Sequence, residues 1–149
     1  MKIAALRVPI LGILLALVLS ACTVTLVSPY DEQTDQMTTA LQRAMSLHFE
    51  ELRGAEAPAC THENFRGFYR ERRVEIGSLD LRARSIPRNS ETVAQVEGLA
   101  GSLNALEQIH QNAGDTCLSA ARLSPIERGF QQQFLAILTL ELAKKRGAD

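Results

Sequence analysis

Residues 124–142 have the sequence SPIERGFQQQFLAILTLEL, which predicts the last helix of an all-helical protein. The opening Ser-Pro-Ile-Glu is a capping box with proline at the first helical position, where a backbone N–H is not needed. The apolar side chains that follow recur every three or four residues on one face: Ile126, Phe130, Phe134, Ile137, Leu138 and Leu142. A face this broad has to be buried against other helices.

Three earlier segments show the same helical period. Their predicted bounds are about Pro29 to Arg53, Thr61 to the residue before Pro87, and Asn89 or Ser90 to Gly114. The first opens with a second capping box, Ser28-Pro29-Tyr30-Asp31, in which Ser28 is the predicted N-cap. Because the connecting loops are short, we expect an antiparallel up-down-up-down four-helix bundle over residues 29–149.

The first 21 residues have the pattern of a bacterial secretion signal. Lys2 and Arg7 form a positive start, and residues 8–19 (VPILGILLALVL) contain no charge. This run matches a signal-peptide core and is shorter than the ~20 residues of a membrane-spanning helix. Leu19-Ser20-Ala21-Cys22 then follows the lipobox pattern, in which the cysteine thiol receives a diacylglycerol. We expect cleavage after residue 21, a lipidated Cys22 and a tether over residues 22–28.

Such a signal predicts a lipid-anchored protein of the cell envelope. Two or more acyl chains anchor a protein stably, whereas one chain binds marginally. Thr23 is not the aspartate that retains lipoproteins in the inner membrane. By resemblance to known sorting signals, we therefore expect the periplasmic face of an outer membrane, or the outer face of the single membrane of a Gram-positive cell. The alternative is an uncleaved membrane helix with an incidental Cys22.

Composition and motifs argue against several function classes. Residues 22–149 carry 14 basic and 17 acidic side chains, a net charge of −3, which gives no general attraction to nucleic acid. Tryptophan is absent and aromatic residues are few, so a sugar-stacking platform is not indicated. No nucleophile elbow, HExxH, phosphate loop or paired-carboxylate motif occurs. The sequence thus predicts a single, non-enzymatic domain without a cofactor.

Cys60 and Cys117 are the two cysteines that remain after lipidation of Cys22. In an oxidising compartment they most simply form one disulfide, the alternative being two free thiols. In the predicted bundle, both lie in loops at the same end.

The run from Ser28 through Tyr30-Asp31-Glu32 to Gln42, with Glu141-Leu142-Ala143-Lys144-Lys145 near the end, resembles a group of small uncharacterised bacterial lipoproteins. The resemblance covers most of the chain. It implies a lipobox, a Tyr-Asp-Glu helix start and two later cysteines, and it implies no activity.

Three histidines and a glutamate are candidate metal ligands. The bundle topology predicts His48, His62 and His110 at the disulfide end, with Glu63 close by. Three imidazoles and a carboxylate could bind zinc or copper. No two of the histidines have a ligand spacing such as i, i+4, so the alternative is a set of unrelated surface or half-buried residues.

The second helix is rich in arginine: Arg66, Arg70, Arg72, Arg73, Arg82 and Arg84. Of these, Arg66, Arg70 and Arg73 are candidate contacts for an anionic envelope polymer such as lipopolysaccharide or peptidoglycan. Interspersed glutamates and Asp80 predict that local pairs neutralise much of this charge, which makes a solvated face the alternative.

The start of the first helix and the end of the last helix share the predicted membrane-facing end. We expect Asp31 or Asp35 to lie within salt-bridge reach of Lys144, Lys145 and Arg146, and this basic triplet to meet anionic headgroups. Five glycines inside the predicted helices indicate close helix approach or a groove for a partner helix: Gly67, Gly77, Gly98, Gly101 and Gly129.

These observations favour a membrane-anchored envelope lipoprotein that serves as a structural or interaction module and binds a protein or an envelope polymer. The alternative is a metal-binding envelope lipoprotein that uses the histidines of the disulfide end.

Overall fold

The computed structural model describes residues 27–147, which form four helices joined by short loops. The helices are α1 (Glu32–Gly54), α2 (His62–Ser85), α3 (Ser90–Asn112) and α4 (Ala120–Arg146). Each helix packs against two neighbours in ring order, so that α1 contacts α2 and α4 while α3 completes the ring. The predicted all-α four-helix bundle is confirmed. The predicted signal peptide, Cys22 and the tether up to residue 26 lie outside the described residues.

A continuous apolar core runs along the bundle axis. On α3, Val96, Leu99, Leu103 and Leu106 have no exposed surface, as the three- and four-residue spacing predicts. Their partners on the other helices include Leu41, Met45, Phe49, Leu79, Phe130 and Ile137. Burial of each such side chain contributes roughly 1.5–3 kcal/mol. Within residues 27–147, no helix has the length and hydropathy needed to cross a membrane.

Helix α1 begins three residues later than predicted. Its N-cap is Asp31, whose carboxylate accepts hydrogen bonds from the backbone N–H and the hydroxyl of Thr34 at 2.9 and 2.7 Å. The prediction of Ser28 as N-cap is wrong. Ser28 is buried instead, and its hydroxyl donates to the side-chain oxygen of Asn89, at the start of α3, at 2.8 Å.

Helix α4 begins five residues earlier than predicted, with Ser119 as N-cap and Pro125 inside the helix. The physical reason is the burial of Leu123, which has no exposed surface and packs into the core when the turn before Pro125 is helical. Proline leaves the carbonyl of Ala121 without its helical partner, but Ala121 is exposed, so water can hydrogen-bond to it.

The glycines inside the helices do not mark close approach within the bundle. A Cβ atom at Gly101 would meet no heavy atom within 4 Å, and the same holds for Gly67, Gly77 and Gly129. At Gly98 the nearest such atom is Nε2 of Gln133 at 3.9 Å, an ordinary contact. The prediction of close approach inside the bundle is therefore wrong.

Candidate functional site

A disulfide joins the two loops at one end of the bundle. Cys60 lies between α1 and α2, Cys117 lies between α3 and α4, and their Cα atoms are 5.3 Å apart. The predicted pairing is confirmed in the structure. We call this end of the molecule the disulfide end, and the end that holds Ser28 and Lys144 the base.

A buried hydrogen-bond chain starts at the disulfide. Nε2 of His110 lies 2.8 Å from the carbonyl oxygen of Cys60, and a carbonyl can only accept, so this nitrogen carries the hydrogen. Nδ1 of His110 is then an acceptor, and the hydroxyl of Tyr69 donates to it at 2.8 Å. The Tyr69 oxygen lies 3.4 Å from Nε2 of His48. One proton arrangement therefore satisfies the whole chain.

Burial keeps these groups uncharged at neutral pH. Desolvation lowers the pKa of His48 to about 3, with smaller effects from His110 and Arg72. Desolvation also lowers the pKa of His110 and raises that of Tyr69. The His48 ring stacks on Phe68 at a centroid distance of 3.7 Å, and its Nδ1 has no hydrogen-bond partner among residues 27–147. These features fit a neutral imidazole that serves as part of the core.

The candidate metal ligands are only partly brought together. The rings of His62 and His110 are 5.7 Å apart at the disulfide end, as the topology predicted. However, Nε2 of His62 faces Glu107 at 3.3 Å, and Glu63 pairs with Arg66 at 2.6 Å. No group of three or more His, Cys, Asp or Glu side chains in the described part of the chain is placed to hold a metal ion. The histidines are engaged with tyrosine, carbonyl and carboxylate partners instead.

Beside the histidines, an open groove of about 680 Å³ lies between α2 and the end of α3. We call it the arginine groove, because Arg66, Arg70 and Arg73 line it from three successive turns of α2. Arg73 donates to Glu107 of α3 at 2.6 Å, which lowers the pKa of Glu107. Arg66 pairs with Glu63, and Arg70 is exposed and makes no ion pair with the described residues.

The remaining arginines of α2 confirm the predicted neutralisation by carboxylates. Arg72 pairs with Glu75 at 2.8 Å and Arg84 with Asp80 at 2.7 Å, each within one turn of helix. Arg82 makes a longer connection, because it binds both carboxylate oxygens of Asp31 at 2.6 and 3.0 Å. This contact lowers the pKa of Asp31 below its usual range.

At the base, a buried ion pair joins two residues of α4. Nζ of Lys144 lies 2.6 Å from Oε1 of Glu141, and both side chains are at most 2% exposed. The ammonium also donates to Oδ1 of Asn89 at 2.6 Å and to the hydroxyl of Thr92 at 2.7 Å, both on the α3 side. The second oxygen of Glu141 accepts from the backbone N–H of Asp31 at 3.3 Å. We call these residues, together with Ser28, the base network.

The predicted salt bridge between an aspartate at the start of α1 and the basic triplet at the end of α4 is wrong, although the start of α1 and the end of α4 are neighbours. Asp31 pairs with Arg82, and Asp35 accepts a hydrogen bond from the Tyr30 hydroxyl at 2.9 Å. Lys144 points into the core and is not free to meet headgroups, whereas Lys145 lies over the Tyr30 ring at 5.0 Å. The prediction failed because it treated all three final basic residues as exposed.

The N-terminal segment is bound at the base network, where it enters the bundle. The backbone N–H of Ser28 donates to the carbonyl of Arg88 at 3.1 Å, in addition to the hydroxyl contact with Asn89. Arg88 adopts a φ of 60° to present that carbonyl, in the left-handed region that non-glycine residues rarely occupy. The segment is thus attached at a defined place.

Comparison of the chain with known proteins gave no match to a family model, a curated protein or a solved structure.

Proposed function

We propose that this protein is a lipid-anchored, non-enzymatic interaction module of the bacterial cell envelope, with its disulfide end directed away from the membrane. The observation that carries the proposal is the polarity of the molecule: the N-terminal segment enters at the base, while the arginine groove opens at the opposite end. A helix of about 23 residues spans about 35 Å, so the groove would stand at that height above the base.

Attachment of Ser28 supports this orientation. If Cys22 carries lipid, the five residues between Cys22 and Ser28 reach at most about 18 Å. The base would therefore stay close to the headgroups. Lys145 and Arg146 are exposed there and are available to an anionic lipid surface, on the periplasmic side of an outer membrane in a Gram-negative cell.

The arginine groove supports an acidic envelope polymer as the ligand. The pair between Arg66 and Glu63 is about two-thirds exposed on both sides, and exposed pairs of this kind contribute about 0–1 kcal/mol. A carboxylate or phosphate of a ligand has to displace Glu63 from Arg66, and its bidentate contacts have to outweigh repulsion from Glu107 and Asp115, which also line the groove. Arg70, one turn further along α2, adds a planar guanidinium suited to bidentate binding of the same groups.

A metal-binding function is not proposed. The nitrogens of His110 are both used within the buried hydrogen-bond chain, and Nε2 of His62 faces Glu107.

The lipid anchor is tested by replacement of the predicted acceptor. In cells labelled with radioactive palmitate, the Cys22→Ala variant should carry no label and should accumulate as the uncleaved precursor. A variant that is still labelled and cleaved before residue 22 would refute the anchor and leave the groove untouched.

The groove is tested separately, by sedimentation of the protein with purified peptidoglycan sacculi. The double variant Arg66→Gln/Arg70→Gln should bind at least about tenfold more weakly, because two charge-assisted contacts are lost. The matched control is Arg122→Gln/Arg128→Gln, which removes two exposed arginines from α4 and changes the net charge equally. Equal loss in both variants, or in neither, would contradict a role for the groove.

A further inference from the structure

The charged side chains that line the arginine groove balance one another. They are three arginines and three carboxylates: Arg66, Arg70, Arg73, Glu63, Glu107 and Asp115. Because their formal charges sum to zero, the groove as a whole does not attract a ligand that carries negative charge alone. Any attraction has to come from individual charges that remain without a partner inside the groove or that a ligand can release from a weak pair.

Two arginines and two carboxylates of the groove are already paired. Arg66 binds Glu63, one turn earlier on α2, at 2.6 Å. Arg73 donates to one carboxylate oxygen of Glu107 at 2.6 Å, and the other oxygen lies 3.3 Å from Nε2 of His62. Glu107 is only 14% exposed, so its partners cover most of the carboxylate. The pair of Arg73 and Glu107 therefore stays closed, whereas the more exposed pair of Arg66 and Glu63 can open to a ligand.

Arg70 and Asp115 are the two charges of the groove that have no ion-pair partner among residues 27–147, and both side chains are exposed. Asp115 precedes Cys117 by two residues, so it lies at the disulfide end of the groove. Arg70 lies eight residues beyond His62, the first residue of α2 at that end, which is about 12 Å along the helix. The groove therefore presents an open negative charge and an open positive charge roughly 10 Å apart.

We infer that the arginine groove binds a zwitterionic peptide of the envelope polymer, with a carboxylate of the ligand on Arg70 and a primary ammonium on Asp115. This inference rests on the proposed function and narrows its ligand class. An extended peptide advances about 3.3–3.6 Å per residue, so about three residues span the distance between the two charges. The guanidinium of Arg70 can bind the carboxylate through two parallel hydrogen bonds, and the carboxylate of Asp115 accepts hydrogen bonds from the ammonium.

Asp115 then determines which anionic ligands the groove accepts. A polymer that carries phosphates or carboxylates alone brings like charge next to Asp115, and the juxtaposition of like charges weakens binding. An ammonium group at the same place is attracted instead. Arg66 and Arg70 thus provide the attraction for the carboxylate, while Asp115 discriminates between a zwitterionic ligand and a purely anionic one.

Sedimentation of the full chain in mild detergent with two probes tests the role of Asp115. The probes are purified peptidoglycan sacculi and agarose beads that carry polyglutamate, whose side chains supply carboxylates and no amino groups. Asp115→Asn should bind sacculi about fivefold more weakly, because one exposed charge pair is lost. The same variant should bind polyglutamate at least as tightly as the wild type, because a repulsive charge is removed. The matched control is Glu91→Gln, which removes an exposed carboxylate at the start of α3 on the base and should change neither affinity by more than about twofold.

Acetylation of the sacculi gives an independent measurement, because it converts ammonium groups into neutral amides and leaves the carboxylates. It should weaken binding of the wild type about fivefold and leave binding of Asp115→Asn unchanged. If Asp115→Asn binds native sacculi as tightly as the wild type, or if acetylation weakens both proteins equally, the zwitterionic ligand is refuted. Weak binding of Arg66→Gln/Arg70→Gln would in that case still support the proposed function, whereas equal binding of that variant and the wild type would refute both.

Discussion

Replacement of Lys144 by methionine should destabilise the bundle strongly, because it leaves Glu141 as an isolated buried carboxylate. Lys144 supplies the only positive charge in the base network, and it contacts Glu141, Asn89 and Thr92 within 2.7 Å. Breaking a buried pair by removal of one partner costs about 3–5 kcal/mol. For a domain of this length, we expect the melting temperature to fall by roughly 10–20 °C.

The double variant Glu141→Leu/Lys144→Met separates the ion pair from packing. It removes both charges and restores apolar volume, and replacement of a whole buried pair is often neutral. The Thr92 hydroxyl and the Asp31 N–H lose their acceptor, so about 1–2 kcal/mol should remain lost. Urea unfolding followed by circular dichroism measures all three proteins at pH 7. If the double variant is as unstable as Lys144→Met, the loss comes from packing and the argument from an unpaired charge is wrong.

Two further predictions concern the disulfide end. The variant Cys60→Ser/Cys117→Ser should lose about 4 kcal/mol of unfolding free energy, because the disulfide closes a loop with a sequence separation of 57. A thiol titration of the unreduced, unfolded wild type should find no reactive thiol from this pair. The stability of the wild type should also fall as pH drops from about 6.5 toward 3, because the unfolded chain protonates His48 near its ordinary pKa whereas burial lowers the folded pKa to about 3. The slope is about 1.4 kcal/mol per pH unit, so roughly 2–3 kcal/mol is lost by pH 4.5, and His48→Phe should be more stable than the wild type there. Urea unfolding of both proteins at about pH 6.5 and at pH 4.5 measures this difference. If the unfolding free energy of His48→Phe falls as much as that of the wild type between these pH values, other groups are responsible.

The helix count could be predicted because it depends on a local pattern, and the disulfide could be predicted because it follows from the topology of the bundle. The three- and four-residue spacing of residues such as Leu99, Leu103 and Leu106 identifies a buried stripe whatever it packs against. Short loops then force antiparallel neighbours, and that topology alone brings Cys60 and Cys117 to the same end. The lipobox and the functional residues that depend on it stay predictions, since they lie outside residues 27–147 or need a partner.

The start of α4 and the base network could not be predicted from local rules. A Ser-Pro pair ordinarily begins a helix, but burial of Leu123 outweighed that preference. Glu141 and Lys144 have the i, i+3 spacing of an exposed surface pair, and Lys144 was predicted to meet headgroups with the rest of the basic triplet. A signal was nevertheless present: they continue the stripe of Ile137 by four and seven residues, which places both on the buried side of α4.

The composition of the buried stripes explains why the four helices align in one way. The middle of the core is aliphatic, and aliphatic stripes tolerate a shift of one helix turn with modest loss. Both ends are polar instead. At the base, Thr34, Thr92 and Glu141 occupy buried stripe positions on three different helices. At the disulfide end, Tyr69 and His110 do so. A shift of α4 by one turn would separate Lys144 from Asn89 and Thr92 and leave a charge in the core. The polar ends therefore fix the axial alignment, and through Ser28 they fix where the N-terminal segment leaves the bundle.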